Sequence, residues 1–294
     1  MKIEHHHIDF KYLIKKPEKS SLFNCSYIVS PYTGCEYNCV SCLDFIDLEE
    51  LKKSAERIQV KENVLNLLKK ELKKGKKGIV CIVGYQPMER EERIVRKILE
   101  TLNARRFPVH IITKSDIVLE DLNLLSRISE NRWCAVSFCI NTMDEEISSI
   151  FEPDAPSPWK RTQALEKVAE AGIYTGIALM PIIPYITDSE EQLKDIIGTA
   201  TKAKANYILP MPLTLGDNYR PEFIKVIKRH FPKLLIKYRR LYEFSSTPDL
   251  RYSNRLKHRI DLLLKKYEIK DSIPSYPIKE GEKQVNIDVF LPKR

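Results

Sequence analysis

Six short apolar runs, each followed by a segment of helical period, constrain this chain more than anything else in it. The runs cover residues 27–30, 78–84, 109–114, 134–140, 174–183 and 207–213. They are rich in β-branched residues and lack apolar–polar alternation, the pattern of strands covered on both faces. Residues 62–74, 91–103, 117–129, 143–150, 158–171 and 189–202 repeat their apolar positions at helical spacing. Asp116 and Ser157 stand where helix N-caps belong, and Asp188 precedes an acidic first turn. Strand–helix alternation of this kind is satisfied by a parallel sheet wound with right-handed crossovers. Six units are too few for an eight-stranded closure. The expected fold class is therefore α/β, a partial, open (β/α)6 barrel.

After residue 213 the character changes. Gly216-Asp217-Asn218 reads as a turn, and basic, mainly helical sequence follows, ending in a stretch with Pro274, Pro277 and Pro292. The expected organisation is an N-terminal segment over 1–24, the barrel over 25–215, and a basic helical extension with a tail over 216–294. Residues 225–270 hold 14 Lys/Arg against 4 Asp/Glu, so this block carries the whole net charge of +9. Such a block suits a nucleic-acid-facing surface, because neutralising phosphates supplies most non-specific affinity. A solvated helical face is the competing explanation. The seven cysteines are an odd number behind an N-terminus without secretory character, which argues against a disulfide scaffold and for a reducing, cytoplasmic setting. No apolar run approaches the length that spans a membrane.

Cys35, Cys39 and Cys42 form a C-x3-C-x2-C array behind Pro31-Tyr32-Thr33-Gly34. Three thiolates so close, with no fourth cysteine beside them, can hold an iron–sulfur cluster and leave one iron open. A structural zinc site needs four ligands. The fourth would have to be Cys25 or one of His5, His6 and His7, three adjacent histidines otherwise read as incidental. Packing thiols are the remaining alternative, and a Gly/Pro/Asn-bearing loop disfavours them.

In parallel α/β barrels the reactive groups lie at the C-terminal ends of the strands. That rule selects the stretch from Cys81 to Tyr85-Gln86-Pro87, then Thr113-Lys114-Ser115, Ser137 to Asn141, and Met180 to Pro184. Cys81 also fits a small core residue, and Lys114 either reaches into the mouth or merely ends its strand.

The cysteine array resembles the signature of radical S-adenosylmethionine enzymes, in particular the branch of spore photoproduct lyases and relatives called DNA repair photolyases. Further matching pieces are Tyr85-Gln86-Pro87-Met88-Glu89, Ile112-Thr113-Lys114-Ser115, Phe151-Glu152-Pro153 with Arg161, and Met180-Pro181-Ile182-Ile183-Pro184. The resemblance runs from about residue 26 to residue 213. It implies a 4Fe-4S cluster on Cys35, Cys39 and Cys42, and S-adenosylmethionine cleaved there to a 5′-deoxyadenosyl radical. It further implies Lys114 at the methionine carboxylate and Ser137, Cys139 and Asn141 on the ribose and amino side. Cys81 falls near a lyase cysteine that returns a hydrogen atom to the substrate radical, and an external electron donor is required. The implied substrate is a nucleic acid, reached through the basic C-terminal region. RNA, a protein or a metabolite are the alternatives within the radical chemistry, and a zinc- or cluster-stabilised binding protein is the alternative outside it. The chain departs from the branch at Ser41 and Leu43, where members carry aromatics, and at Gly84, where an acidic residue is usual.

Overall fold

All six apolar runs form strands within two residues of the expected bounds. The computed structural model describes residues 4–9, 14–15, 23–40, 57–74, 78–217 and 219–273. In chain order the elements are β1 (Glu4–Ile8), β2 (Ile14–Lys15), β3 (Tyr27–Val29), β4 (Tyr32–Thr33), β5 (Arg57–Lys61), α1 (Val64–Lys74), β6 (Val80–Val83), α2 (Glu89–Glu92) and α3 (Ile94–Ala104). They continue with β7 (Val109–Thr113), a 3-10 turn (Asp116–Asp121), α4 (Leu122–Asn131), β8 (Cys134–Cys139), α5 (Glu145–Phe151), α6 (Pro158–Glu170), β9 (Tyr174–Ile182), α7 (Glu190–Lys202) and β10 (Tyr207–Pro212). The C-terminal part is helical: α8 (Arg220–His230), a short 3-10 turn, α9 (Leu235–Leu241) and α10 (Leu250–Lys266).

The sheet runs β10-β9-β8-β7-β6-β3-β2, with every neighbouring pair parallel except β2 on β3. Strands adjacent in this part of the chain are adjacent in space, as expected of a barrel wound in one direction. Val80, Ile82, Val109, Ile111, Val136, Phe138 and Ile177 face the helices and join the larger apolar core. Cys81, Ile112, Cys139, Ala178, Met180, Tyr207 and Leu209 face inward and form a second, smaller one. Six strands leave the β10 edge open. Here Ile208 N donates to Lys270 O at 2.8 Å, and Ile273 packs into the inner cluster, so the chain's own C-terminal segment covers that edge.

One expectation is corrected in detail: Ser115, not Asp116, caps the turn after β7, its hydroxyl accepting from Ile117 N at 3.2 Å. The acidic first turn after Asp188 is present as Glu190 and Glu191; Ser189 caps α7, accepting from Gln192 N at 3.1 Å, and Asp188 accepts from Tyr252 Oη at 2.7 Å. Ser157 caps α6 as expected. An unexpected three-stranded sheet, β1-β5-β4, is hydrogen-bonded separately from the barrel sheet and packs Tyr32, Ile58 and Val60 into the same larger core. It places the three adjacent histidines in a strand parallel to β5, with the His7 ring between Glu62 and Glu92. The alternation of Arg-Ile-Gln-Val-Lys in β5 was its visible signal: Ile58 and Val60 are buried at alternate positions, and Lys61 at its end is buried too. Among the described residues, no helix is long and apolar enough to cross a membrane.

Two glycines give opposite predictions. A Cβ on Gly176 in β9 would lie 2.4 Å from the Tyr207 carbonyl oxygen and 2.6 Å from its ring, whereas one on Gly198 in α7 would meet only Tyr267, at 3.6 Å. Gly198→Ala should raise the stability measured in urea by about 0.5–1 kcal/mol, because Gly in a helix interior is penalised. Gly176→Ala should lower it by about 1–3 kcal/mol through overpacking. Changes of equal sign would contradict this packing.

Candidate functional site

The chain leaves β3 at the C-terminal end of the sheet, and the segment 30–40 carries the first two cysteines of the array. Gly34 (φ +90°) and Asn38 (φ +48°) take left-handed conformations on either side of Cys35-Glu36-Tyr37, which winds the loop tightly. The segments after β6, β7 and β8 then fasten it. After β6, Gln86 Oε1 accepts from Glu36 N at 2.9 Å, and Glu36 Oε2 accepts from Met88 N at 2.6 Å. After β7, Ser115 Oγ accepts from Tyr37 Oη at 2.7 Å. At α5 and the loop beyond it, Phe151 O accepts from Val40 N at 2.9 Å, and Asp154 Oδ2 accepts from Asn38 Nδ2 at 2.7 Å. Cys35 and Cys39 are both half-buried in this loop. Cys42, with Ser41 and Leu43 on either side, lies outside the described residues.

Lys114 reaches the loop. Its ammonium donates to Cys39 Sγ at 3.2 Å and pairs with Glu152 Oε1 at 3.0 Å. Glu152 Oε2 in turn meets Arg161 Nη1 at 2.5 Å, and neither of these two side chains has any exposure. Burial alone would raise the Glu152 pKa, but the charges of Arg161 and Lys114 outweigh it and hold the carboxyl below its ordinary value. Arg161 also donates to Pro156 O at 2.7 Å and to Cys139 O at 2.9 Å. One buried carboxylate thus ties α6, the end of β8 and the cysteine loop together. The Phe151-Glu152-Pro153 and Arg161 pieces were visible in the sequence, but the pairing that gives them a role was not.

The inward faces of the strands stack in layers beneath. Asn141 lies two residues beyond Cys139 at the end of β8; its amide is buried, and neither its oxygen nor its nitrogen has a partner among the described residues. Burial pushes the Cys139 thiol up to about 12. Ser137 sits one layer deeper than Cys139, its hydroxyl 2.8 Å from both His110 Nε2 and Tyr207 Oη. His110 Nδ1 lies 3.1 Å from Phe23 O, and burial lowers its pKa to about 4, so the ring is neutral at pH 7. Cys81 is deeper still, at the level of His110 in the strand register. It is only 1% exposed, with its thiol hydrogen-bonded to that of Cys25, and burial raises its pKa well above the ordinary value. Lys114 and Asn141 therefore stand at the mouth, Cys139 below them, and Ser137 and Cys81 in the floor.

This placement removes Cys25 as a fourth metal ligand. It precedes β3 and bonds to Cys81 in the floor, whereas Cys35 follows β3 at the mouth. No group of three or more His, Cys, Asp or Glu among the described residues is placed to hold a metal, the third cysteine of the array being outside them.

The Radical SAM superfamily profile matches residues 29–197, the span from β3 into α7 that builds this mouth. The chain belongs to the radical SAM superfamily. It is 32% identical over 223 residues to an uncharacterised protein of Methanocaldococcus jannaschii, covering 74% of this chain and 82% of that one. An uncharacterised protein of Mycobacterium tuberculosis is 25% identical over 291 residues, covering 95% and 86%. In fold, the chain matches a spore photoproduct lyase variant with bound S-adenosylmethionine and dinucleoside spore photoproduct. The TM-score is 0.67 at 16% identity, over 89% of this chain and 78% of that one. A second lyase structure, complexed with the dinucleoside spore photoproduct, gives 0.67 at 17% identity over 90% and 79%. The chain is a radical SAM enzyme, and membership implies a 4Fe-4S cluster and S-adenosylmethionine. The residues present fit that pair: an ammonium stands against a cysteine sulfur at the mouth, and the buried Asn141 amide, just beyond β8, lacks a partner among the described residues.

Two predictions come from the buried groups. Glu152→Gln leaves Arg161 and Lys114 buried without their counter-charge and should cost about 3–5 kcal/mol in urea denaturation; a loss under about 1 kcal/mol would mean that the three charges contribute little. His110 titrates in the folded protein below the ordinary value of 6.5, so the unfolded chain takes the proton first. Its contribution is whole above about pH 6.5 and is lost as pH falls toward about 4. From about pH 7 to about pH 5 the wild type should lose about 2 kcal/mol more stability than His110→Gln. Equal losses would contradict the burial of a neutral ring.

Proposed function

We propose that this chain is a radical S-adenosylmethionine enzyme acting on a nucleic acid or nucleobase, with Cys35, Cys39 and Cys42 holding the cluster. The observation that carries the chemistry is the contact of Lys114 with Cys39 at a barrel mouth whose buried Asn141 amide has no partner among the described residues. When bound, the cluster and S-adenosylmethionine supply one-electron cleavage of the sulfonium and a carbon radical that abstracts hydrogen.

The chain's own residues do the rest. Lys114, fixed by Glu152, presents a positive charge suited to the methionine carboxylate, and Asn141 offers both a donor and an acceptor on the ribose and amino side. Ser137 and Cys139 support this site from below. The inner layer of Ile112, Ala178, Met180 and Leu209 keeps water from the floor. The electron enters from an external donor.

The substrate assignment is supported by the basic extension, because its helices are fastened at the mouth. Tyr238 Oη donates to Pro184 O at 2.6 Å, and Tyr252 Oη to Asp188, both on the loop after β9. The narrowest version is repair of a thymine dimer with Cys81 as hydrogen donor, which requires the substrate to reach a thiol lying in the floor. The division into segments 1–24, 25–215 and 216–294 belongs to the same reading, with the last segment as the substrate-facing unit. Cys81, Cys134 and Cys139 are unbridged, in keeping with a reducing compartment such as the cytoplasm.

Anaerobic reconstitution should load about four irons and about four sulfides per chain. Reduction with dithionite should then release 5′-deoxyadenosine from S-adenosylmethionine, and Cys35→Ala should lose both properties. A tightly held zinc with no cleavage would overturn the reading.

A further inference from the structure

The turn between α9 and α10 holds its backbone rigidly and its largest apolar side chain in water. Phe244 is 93% exposed and Leu250, at the start of α10, 80%. Exposure this high in a loose loop would mean nothing. Here Arg220, at the start of α8, donates to three carbonyls: Tyr242 O at 2.9 Å, Ser245 O at 3.1 Å and Leu215 O at 3.2 Å. Leu215 N donates to Ser246 O at 2.7 Å, Asp249 N to Leu241 O at 3.2 Å, and Tyr242 Oη to Leu213 O at 2.8 Å. Leu213 and Leu215 follow β10 directly, so the turn is fastened to the rim of the mouth.

The surroundings indicate what Phe244 is held out for. Tyr185, on the loop after β9 at the same rim, is 41% exposed and held in a left-handed conformation (φ +64°). Lys237 Nζ lies over its ring, 5.2 Å from the centroid. Tyr238 connects the two features, with its ring edge-on to Tyr185 and stacked on that of Tyr242. Arg239, Arg240, Arg251 and Arg255 are cationic positions flanking the turn, while Asp249 is engaged as the N-cap of α10 and Glu243 is the other acid. Aromatic faces among cations match one chemistry well: a backbone of phosphates whose unpaired bases can stack.

We propose that the Phe244 turn and the Tyr185–Lys237 pair form a base-stacking platform that receives the unpaired bases of a nucleic-acid strand at the rim of the mouth. The proposal rests on the nucleic-acid reading above and specifies how the strand is gripped. Phe244 supplies the stacking face and the neighbouring arginines neutralise phosphates.

The test is fluorescence anisotropy of a labelled oligothymidylate of about 12 nucleotides, titrated with the anaerobically reconstituted full chain between about 50 and 200 mM salt. Phe244→Ala should weaken binding about tenfold at each salt concentration while keeping the salt slope, and Phe244→Trp should retain the affinity. Arg240→Ala should instead reduce the slope by about one unit. If the wild type binds and Phe244→Ala binds equally well, the platform is wrong and the nucleic-acid reading stands. If the wild type does not bind at any salt concentration, the nucleic-acid reading falls and the platform with it. If Phe244→Ala weakens docking of an acidic electron-transfer protein and leaves the oligonucleotide affinity unchanged, the turn is a protein-docking surface and the proposal is overturned.

Discussion

A fully buried carboxylate between two cations is the interaction on which the mouth of this barrel depends. Glu152 meets Arg161 on one side and Lys114 on the other, and Lys114 reaches Cys39. Removing charges from water is costly, so such a chain persists only where every member is paired. Pairing fixes where the Lys114 ammonium can stand. Arg161 extends the constraint through the Cys139 carbonyl to β8, and Asn38 and Val40 extend it from the cysteine loop to the segment after α5. The cysteine loop is thereby positioned by the segments after three successive strands, β6, β7 and β8, rather than by itself.

Polarity in the inner barrel follows depth. At the mouth stand groups that can meet a ligand, Lys114 and Asn141. Below them lies an apolar layer, and in the floor a closed set of hydrogen bonds links Phe23 O, His110, Ser137 and Tyr207. In that set the Ser137 hydroxyl already has two partners. Asn141 differs because its amide is buried without a partner among the described residues, the condition expected of a group awaiting a ligand.

The six barrel strands were legible because continuous β-branched runs have few other stable placements. The spacing of the cysteine array stands out in the sequence, and its third member, Cys42, lies outside the described residues. Cys81 and Lys114 were each ambiguous in sequence, and depth separates them: alternation along β6 and β7 buries one in the floor and brings the other to the mouth. The small sheet that carries β4 was missed, since its strands are short and far apart in the chain. Glu152 was missed as a site residue because a lone glutamate after a helix has no local sign of burial; its partners lie 38 residues before it and nine after. The Arg220 clamp under Phe244 likewise joins residues whose relation appears only in three dimensions.

The extension and the barrel meet at the mouth, where Tyr238, Tyr242 and Tyr252 each place a hydroxyl on a loop that follows a strand. In the proposed mechanism Lys114 and Asn141 complete a site for S-adenosylmethionine beside a cluster held by the cysteine loop. The direct measurement is the electron paramagnetic resonance spectrum of the reduced, reconstituted protein with and without S-adenosylmethionine, for the wild type and for Lys114→Met. The spectrum should change when S-adenosylmethionine is added to the wild type and change far less in the variant at the same concentration. A cluster whose spectrum is unmoved by S-adenosylmethionine in the wild type, or moved equally in both, would contradict it.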